Sequence, residues 1–276
     1  LIRSIAAPSS LRRRSATGPL RIGVLVSATG ANLRTLIGMQ TADPERFQVC
    51  LVASHGDSSP ALGIAAQQGI ATWPGDFDAR CGRFSQARDA AARAAYRERA
   101  RRWHDRLCAR IAAWEDSEGP LDLVVLAYHR WIDGELLRHY EGRMINQHPG
   151  DLSVLDNEGR RVLVGNDPVR RAIELGHRTT RTSCFLVDAT RDGGAVLCQG
   201  PPAALPPGAQ PADAHAHEQV QKRVSDKPCL EWTVRAFAAG SLGLAGERHR
   251  DGSRVVVVDG VPMPLGGMAL SAAERT

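Results

Sequence analysis

Two short stretches of this 276-residue chain hold side chains able to move protons and steady negative charge: Asn146-Gln147-His148-Pro149 and Asp192-Gly193-Gly194. Asn and His two positions apart on extended chain project to one side. An amide beside an imidazole suits a developing oxyanion and a proton transfer. A carboxylate near that imidazole would favour its charged form and lift its titration above the free value of about 6.5. Each stretch also has a plain reading. Asn-x-His-Pro makes an ordinary turn, and Asp-Gly is a favoured hairpin turn. Taken singly, neither requires catalysis.

The flanking pattern says what would position them. Arg21 to Ser27 (RIGVLVS) is a short apolar run that ends in Ala28-Thr29-Gly30-Ala31-Asn32 and then a helical pattern through Leu33 and Leu36. This reads as strand, tight loop, helix. Phe47 to Ser54 with a helix at 61–68 repeats the theme, and Ile70 to Trp73 adds a third short strand. Leu121 to Ala127 (LDLVVLA) is the strongest buried-strand signal, and Arg143 to Asn146 is another strand, running into the His148 stretch. Strands alternating with helices predict an α/β fold with a parallel sheet. Ligands of such sheets gather beyond the carboxyl ends of the strands, where both chemical stretches lie.

Residues 79–116 differ from the rest, with eleven Ala, ten Arg and one Gly. Trp103, Leu107, Ile111 and Trp114 recur at helical spacing, so a long surface helix with one apolar stripe is expected. A helical run from Glu218 to Ala239 should break before Pro228. Residues 254–261 should form a closing hairpin, and 21–276 one domain.

Composition narrows the function classes. The apolar share of 43% and charged share of 24% are those of an ordinary globular protein. No apolar run approaches bilayer length, so no membrane partner is expected. Of the net charge of +5, residues 1–20 supply +4 through Arg3, Arg12, Arg13 and Arg14, leaving +1 for the remainder. A nearly neutral body with 5% aromatics lacks the footprint of a nucleic-acid binder. The basic tail, residues 1–20, superficially resembles a transit peptide but reads better as a disordered extension. Six scattered cysteines with no Cys-x-x-Cys pair suggest reduced thiols in a cytoplasm. His215-x-His217-Glu218 lacks a partner cluster and is expected to be solvated, so no metal is expected.

Taken together and in order, the motifs resemble the formyltransferase family that uses 10-formyltetrahydrofolate. Val24-Leu25-Val26-Ser27 followed by Gly30-Ala31-Asn32-Leu33 is similar to the family's phosphate-cradling first loop. Leu126 to Ile132 is similar to its pterin-binding segment. Ile145-Asn146-x-His148-Pro149 is similar to its signature, and Val187-Asp188 through Asp192-Gly193-Gly194 to the loop bearing its third catalytic residue. The resemblance implies a Rossmann-like formyltransferase fold with a mostly parallel central sheet and flanking helices. It implies Asn146, His148 and Asp192 as catalytic residues. It implies Tyr128, His129, Arg130, Trp131 and Ile132 on the folate donor and Gly30, Ala31 and Asn32 on the acceptor. Trp131 is either a wall of the donor pocket or plain core. The partners implied are small molecules, 10-formyltetrahydrofolate and an amine, either glycinamide ribonucleotide of purine biosynthesis or a related amine, on a monomer or homodimer.

The chain departs from the family at Ala28 and Ala31, which replace Gly and Ser. It also departs at Phe185, which stands where a His is usual, and at Gly150, which stands where a Ser follows His-Pro. The pterin segment is one residue short, and a polar stretch, Asp156 to Arg161, precedes Gly165. Several departures fall on the acceptor side. A formyltetrahydrofolate hydrolase and a non-catalytic folate-binding module are the rival readings.

Overall fold

The computed structural model describes residues 9–11, 18–27 and 29–272. The chain divides into two compact units, Ala16–Met144 and Leu1–Ser15 with Ile145–Thr276. The first strand, β1 (Ser9–Ser10), belongs to the second of these.

The unit 16–144 is an α/β layer. Its elements are β2 (Leu20–Val26), α1 (Ala31–Ala42), β3 (Phe47–Ser54), α2 (Pro60–Gln67), β4 (Ala71–Trp73), α3 (Phe77–Cys81), α4 (Ala90–Glu118), β5 (Leu123–Ala127) and α5 (Glu135–His139). The strands pair in the order β4–β3–β2–β5, all parallel, as the strand–helix alternation predicts. Ile22, Val24 and Val26 are buried on β2, and Leu33, Leu36 and Met39 of α1 are buried with them. Full burial stabilises a leucine side chain by roughly 1.5–3 kcal/mol, so this face fixes the helix that follows the first loop.

The expected helical segment at 79–116 is interrupted. Gly82 closes α3 with a φ of 74°, a single 3-10 turn follows at Phe84–Gln86, and only then does α4 begin. Asp89 caps α4 by accepting a hydrogen bond from the Ala92 amide at 2.7 Å. The buried face of α4 is Tyr96, Ala100, Trp103, His104, Leu107, Cys108 and Ile111, so the apolar stripe holds but extends a full two turns further toward the amino end.

In the unit containing 145–276, β6 (Met144–His148) runs into the His148-Pro149 turn. It is followed by α6 (Pro168–Glu174), β7 (Thr179–Thr180), β8 (Ser183–Leu186), β9 (Val196–Gln199), β10 (Ala203–Ala204), α7 (Ala214–Gln221) and α8 (Lys227–Ala239). The last strands are β11 (Leu242–Arg248), β12 (Arg254–Val258), β13 (Val261–Pro262) and β14 (Met268–Ala269). β6 pairs with β8, and β8 with β9, antiparallel, while β14 joins β9 in parallel. The helical run 214–239 divides ahead of Pro228 into α7 and α8, as expected, although the backbone between them stays helical. Lys222–Asp226 winds as a π-helix between α7 and α8, and Pro228 sits in the first turn of α8, where its missing N–H costs nothing. The 254–261 hairpin forms as expected, with Asp259 and Gly260 both at positive φ.

One further sheet, β1–β11–β12–β13, corrects part of the disordered-tail expectation. Ser9 and Ser10 pair with Leu244 and Gly243, the Leu11 amide donates to the Leu242 carbonyl at 3.1 Å, and Leu11 is buried. The physical reason is the open edge of β11, whose unpaired backbone groups accept any extended segment within reach. The basic residues Arg3 and Arg12 to Arg14 lie outside the described residues.

Candidate active site

β6 supplies two of the three expected catalytic side chains. Its register against β8 sets Asn146 opposite Phe185 and His148 opposite Ser183, so the two lie on one side of the strand, as the i, i+2 spacing requires. His148 is buried and Asn146 half-buried. His148 Nε2 lies 2.7 Å from the Leu163 carbonyl oxygen. A carbonyl can only accept, so Nε2 carries the proton and Nδ1 is the free edge of a neutral ring.

That free edge faces Asp192, whose Oδ2 is 3.9 Å from His148 Nδ1. Asp192 stands on the loop between β8 and β9 with a φ of 51°, in the left-handed region where few side chains are found. The Gly165 amide donates to its Oδ2 at 2.8 Å. Glycine is needed beside it, because a Cβ on Gly194 would overlap the Leu186 carbonyl. Gly150 is required for the same reason. A Cβ there would lie 2.5 Å from the Leu163 oxygen and 2.8 Å from His148 Nε2, so a serine at 150 would break the bond that orients the imidazole. Ser183 holds the turn in place, donating to the Gly150 carbonyl at 2.8 Å and accepting from the Leu152 amide at 3.0 Å.

The electrostatics correct one expectation. The titration of His148 is pushed below the ordinary histidine value, chiefly by burial. Asp192 and the Leu163 carbonyl act upward, and Arg191 and Arg161 act downward. Desolvation outweighs the carboxylate at 3.9 Å, so the resting ring is neutral. Phe185, where the family's histidine is usual, packs in a buried apolar cluster with Leu152 and Val196.

The other expected residues lie in the unit 16–144. Tyr128 and Ile132 are buried, whereas Trp131 is 51% exposed, which removes the plain-core reading of that side chain. The segment is tied down at several points. The His129 amide donates to Ser27 Oγ at 2.8 Å, Arg130 pairs with Asp78 at 2.8 Å, and the Arg97 guanidinium sits 5.7 Å from the Trp131 ring centre. Tyr128 Oη lies 3.4 Å from Nε2 of the buried His104. Gly30 adopts a φ of 79° at the start of α1, Ala31 is the first helical residue, and Asn32 follows. Ala28 lies outside the described residues.

Sequence reasoning missed Arg161, Leu163 and Gly165, the residues that hold Asp192 and His148 in place. Their only signal is the polar stretch before Gly165, and main-chain partners leave no mark on side-chain type. It also misjudged His217, which is buried and lies 2.7 Å from Thr180 Oγ1 rather than being solvated. Among the described residues no three His, Cys, Asp or Glu side chains gather where they could hold a metal ion.

Asn146, His148 and Asp192 thus place an amide, an imidazole and a carboxylate around the end of β6, groups able to move protons and steady negative charge. A family model, formyl transferase, matches residues 20–227, and the chain belongs to that family, whose members transfer formyl groups. It is 27% identical over 245 residues to phosphoribosylglycinamide formyltransferase of Mycobacterium tuberculosis, covering 87% of this chain and 95% of the relative. It is 26% identical over 199 residues to the trifunctional purine biosynthetic protein adenosine-3 of Gallus gallus, but covers 17% of that longer chain. The fold matches the phosphoribosylglycinamide formyltransferase structure from Coxiella burnetii with a TM-score of 0.63 at 24% identity, over 91% of this chain and 99% of that one. A formyltetrahydrofolate deformylase from Burkholderia mallei matches at 0.57 and 18% identity, over 87% and 70%.

Proposed function

We propose that this chain moves a formyl group from 10-formyltetrahydrofolate to the amine of glycinamide ribonucleotide in purine biosynthesis, working in the cytoplasm on small-molecule partners as a monomer or homodimer. The observation that carries the reading is the neutral, oriented imidazole of His148, with Asn146 on its side of β6 and the Asp192 carboxylate 3.9 Å from its free nitrogen.

The donor supplies an activated formyl carbon. His148 Nδ1 takes the proton that the attacking amine sheds, and the imidazolium so formed is held by Asp192. Asn146 donates its amide N–H to the formyl oxygen as that oxygen gains charge, and the new cation on His148 adds to the same stabilisation. The proton then leaves His148 for the departing nitrogen of the donor, which restores the neutral ring. Tyr128 to Ile132 supports the donor, with the exposed face of Trp131 as an apolar wall and backbone amides to read the pterin edge. Gly30, Ala31 and Asn32 open a helix whose first-turn N–H groups favour the acceptor's phosphate.

Incubation with 10-formyltetrahydrofolate and glycinamide ribonucleotide should add the mass of one formyl group to the amine. Free formate without a formylated amine would instead indicate the deformylase chemistry of the Burkholderia relative. A donor that binds and stays intact would indicate a binding module.

A further inference from the structure

The loop that carries Asp192 is held by a device that sequence reasoning did not reveal. The side chain of Arg161 is only 5% exposed, and the residue lies on the segment after the His148-Pro149 turn. Its Nη1 donates to the backbone carbonyl of Asp192 at 2.5 Å and its Nη2 to that of Gly194 at 2.9 Å. The remaining edge pairs with Asp251, whose side chain is 4% exposed, with Nε to Oδ2 at 2.7 Å. Asp251 also accepts from the Ser253 amide at 3.0 Å and its hydroxyl at 2.7 Å. Burial alone would push this carboxyl up, but the Ser253 bonds and the Arg161 charge together hold it below the usual carboxylate range. Both partners of the pair are therefore charged, and both are satisfied.

Three observations give this pair a purpose beyond packing. First, the guanidinium grips the main chain on both sides of Gly193, at the residue that bears the catalytic carboxylate and two residues beyond it. Second, Asp192 sits at a φ of 51°, a conformation that costs an aspartate energy and persists only where neighbours impose it. Third, Asp251 stands in the turn between β11 and β12, beyond residue 227, where the family match ends. The same turn is fastened to the polar stretch before Gly165, since Arg250 donates to the Asn157 carbonyl. A segment beyond the stretch matched by the family model thus reaches the loop that carries Asp192.

We infer that Arg161, locked by Asp251, is a positioning residue for formyl transfer, holding the Asp192 backbone so that its carboxylate faces Nδ1 of His148. This rests on the reading of Asp192 given under Proposed function. Only a planar guanidinium can serve both carbonyls and the carboxylate at once, because lysine offers a single point of charge. The carboxylate faces the imidazole at 3.9 Å, and Arg161 acts only through it.

The test is kinetic, on the full chain, with kcat and donor affinity measured for Arg161→Lys, Asp251→Asn and each of these combined with Asp192→Asn. Arg161→Lys and Asp251→Asn should each lower kcat by about 10- to 100-fold, the scale on which a small misplacement of a reacting group is felt. Donor affinity should stay within about twofold, because the trio contributes little to ground-state binding. In the Asp192→Asn background the same changes should have no further effect on kcat. A purely structural role would lower kcat in both backgrounds, and that result would overturn the inference. So would wild-type kcat in a folded Arg161→Lys protein. If Asp192→Asn alone leaves kcat unchanged, the catalytic reading of Asp192 fails instead. Amide hydrogen exchange over residues 188–195 provides a check that does not depend on turnover. Exchange there should quicken in Arg161→Lys while β2 to β5 stay protected, and unchanged exchange would also overturn the inference.

Discussion

His148 and Asp192 approach to 3.9 Å through Nδ1 and Oδ2, while the opposite ring nitrogen of His148 is spent on the Leu163 carbonyl at 2.7 Å. The pair is close enough to attract yet too far apart for a hydrogen bond, and burial of the ring decides the balance in favour of the neutral form. In the proposed reaction the ring is thus the proton acceptor, with the Asp192 carboxylate beside it to hold the cation.

The pH dependence follows with a definite sign. A base whose titration is depressed is active above that value and loses activity as pH falls through it. The acid limb of kcat/KM should thus lie below about 6.5, the free imidazole value, with a plateau at neutral pH. Asp192 acts upward on His148, so Asp192→Asn should move the limb to still lower pH. A limb above 6.5 in the unsubstituted enzyme, or an upward shift in Asp192→Asn, would contradict this arrangement.

Acid should also unfold the protein through a different histidine. His104 is fully buried among Phe77, Trp103 and Tyr128, and burial drives its titration down to about 4, against a weaker upward pull from Asp133. Below pH 6.5 the unfolded chain binds a proton that the folded chain refuses, so stability is full above 6.5 and is lost as pH falls toward 4. The loss from this group is on the order of 3 kcal/mol. Tm measured from pH 7.5 to 4 should fall in that window, and His104→Gln should flatten the slope. An identical slope in the variant would remove His104 from the explanation.

Trp131 is exposed, so its removal should spare the fold. Trp131→Ala should change stability by less than about 0.5 kcal/mol, as for other surface substitutions. It should weaken donor binding, because the ring is available to a ligand rather than to the core. Equilibrium titration with a folate analogue checks both halves of the statement on one sample. Lost stability with unchanged affinity would return Trp131 to a structural role.

The segment 9–11 should matter to stability but not to turnover. Leu11 is buried where β1 covers the edge of β11, and exchanging it for serine should cost about 1–2 kcal/mol. Chemical denaturation of Leu11→Ser, with kcat measured in parallel, tests this. A wild-type midpoint would mean that the edge strand contributes nothing.

What could be read in advance follows the range of the interactions involved. The strands β2, β3 and β5 announce themselves as short, mostly apolar runs, and α1 by the spacing of Leu33 and Leu36, because local pattern suffices for buried parallel strands and their helices. Asn146 and His148 are legible as a pair because strand geometry alone puts them on one side. The Arg161–Asp251 pair is 90 residues apart and bonds mostly to main chain, so no local pattern could reveal it. The downward shift of His148 was also hidden, since a neighbouring carboxylate is visible in sequence but the depth of burial is not. Ser9 to Leu11 carry no periodic face, and their strand exists only because the edge of β11 offers backbone partners.

The account turns most directly on His148, and the deciding measurement is kcat and donor affinity on one folded His148→Ala protein. Loss of the proton acceptor should cut kcat by on the order of 10²-fold or more, with donor affinity essentially retained, because the imidazole acts on the transition state. If His148 only shaped the turn before Pro149, the same variant would lose stability and donor affinity together while turnover per bound donor stayed near the wild-type value.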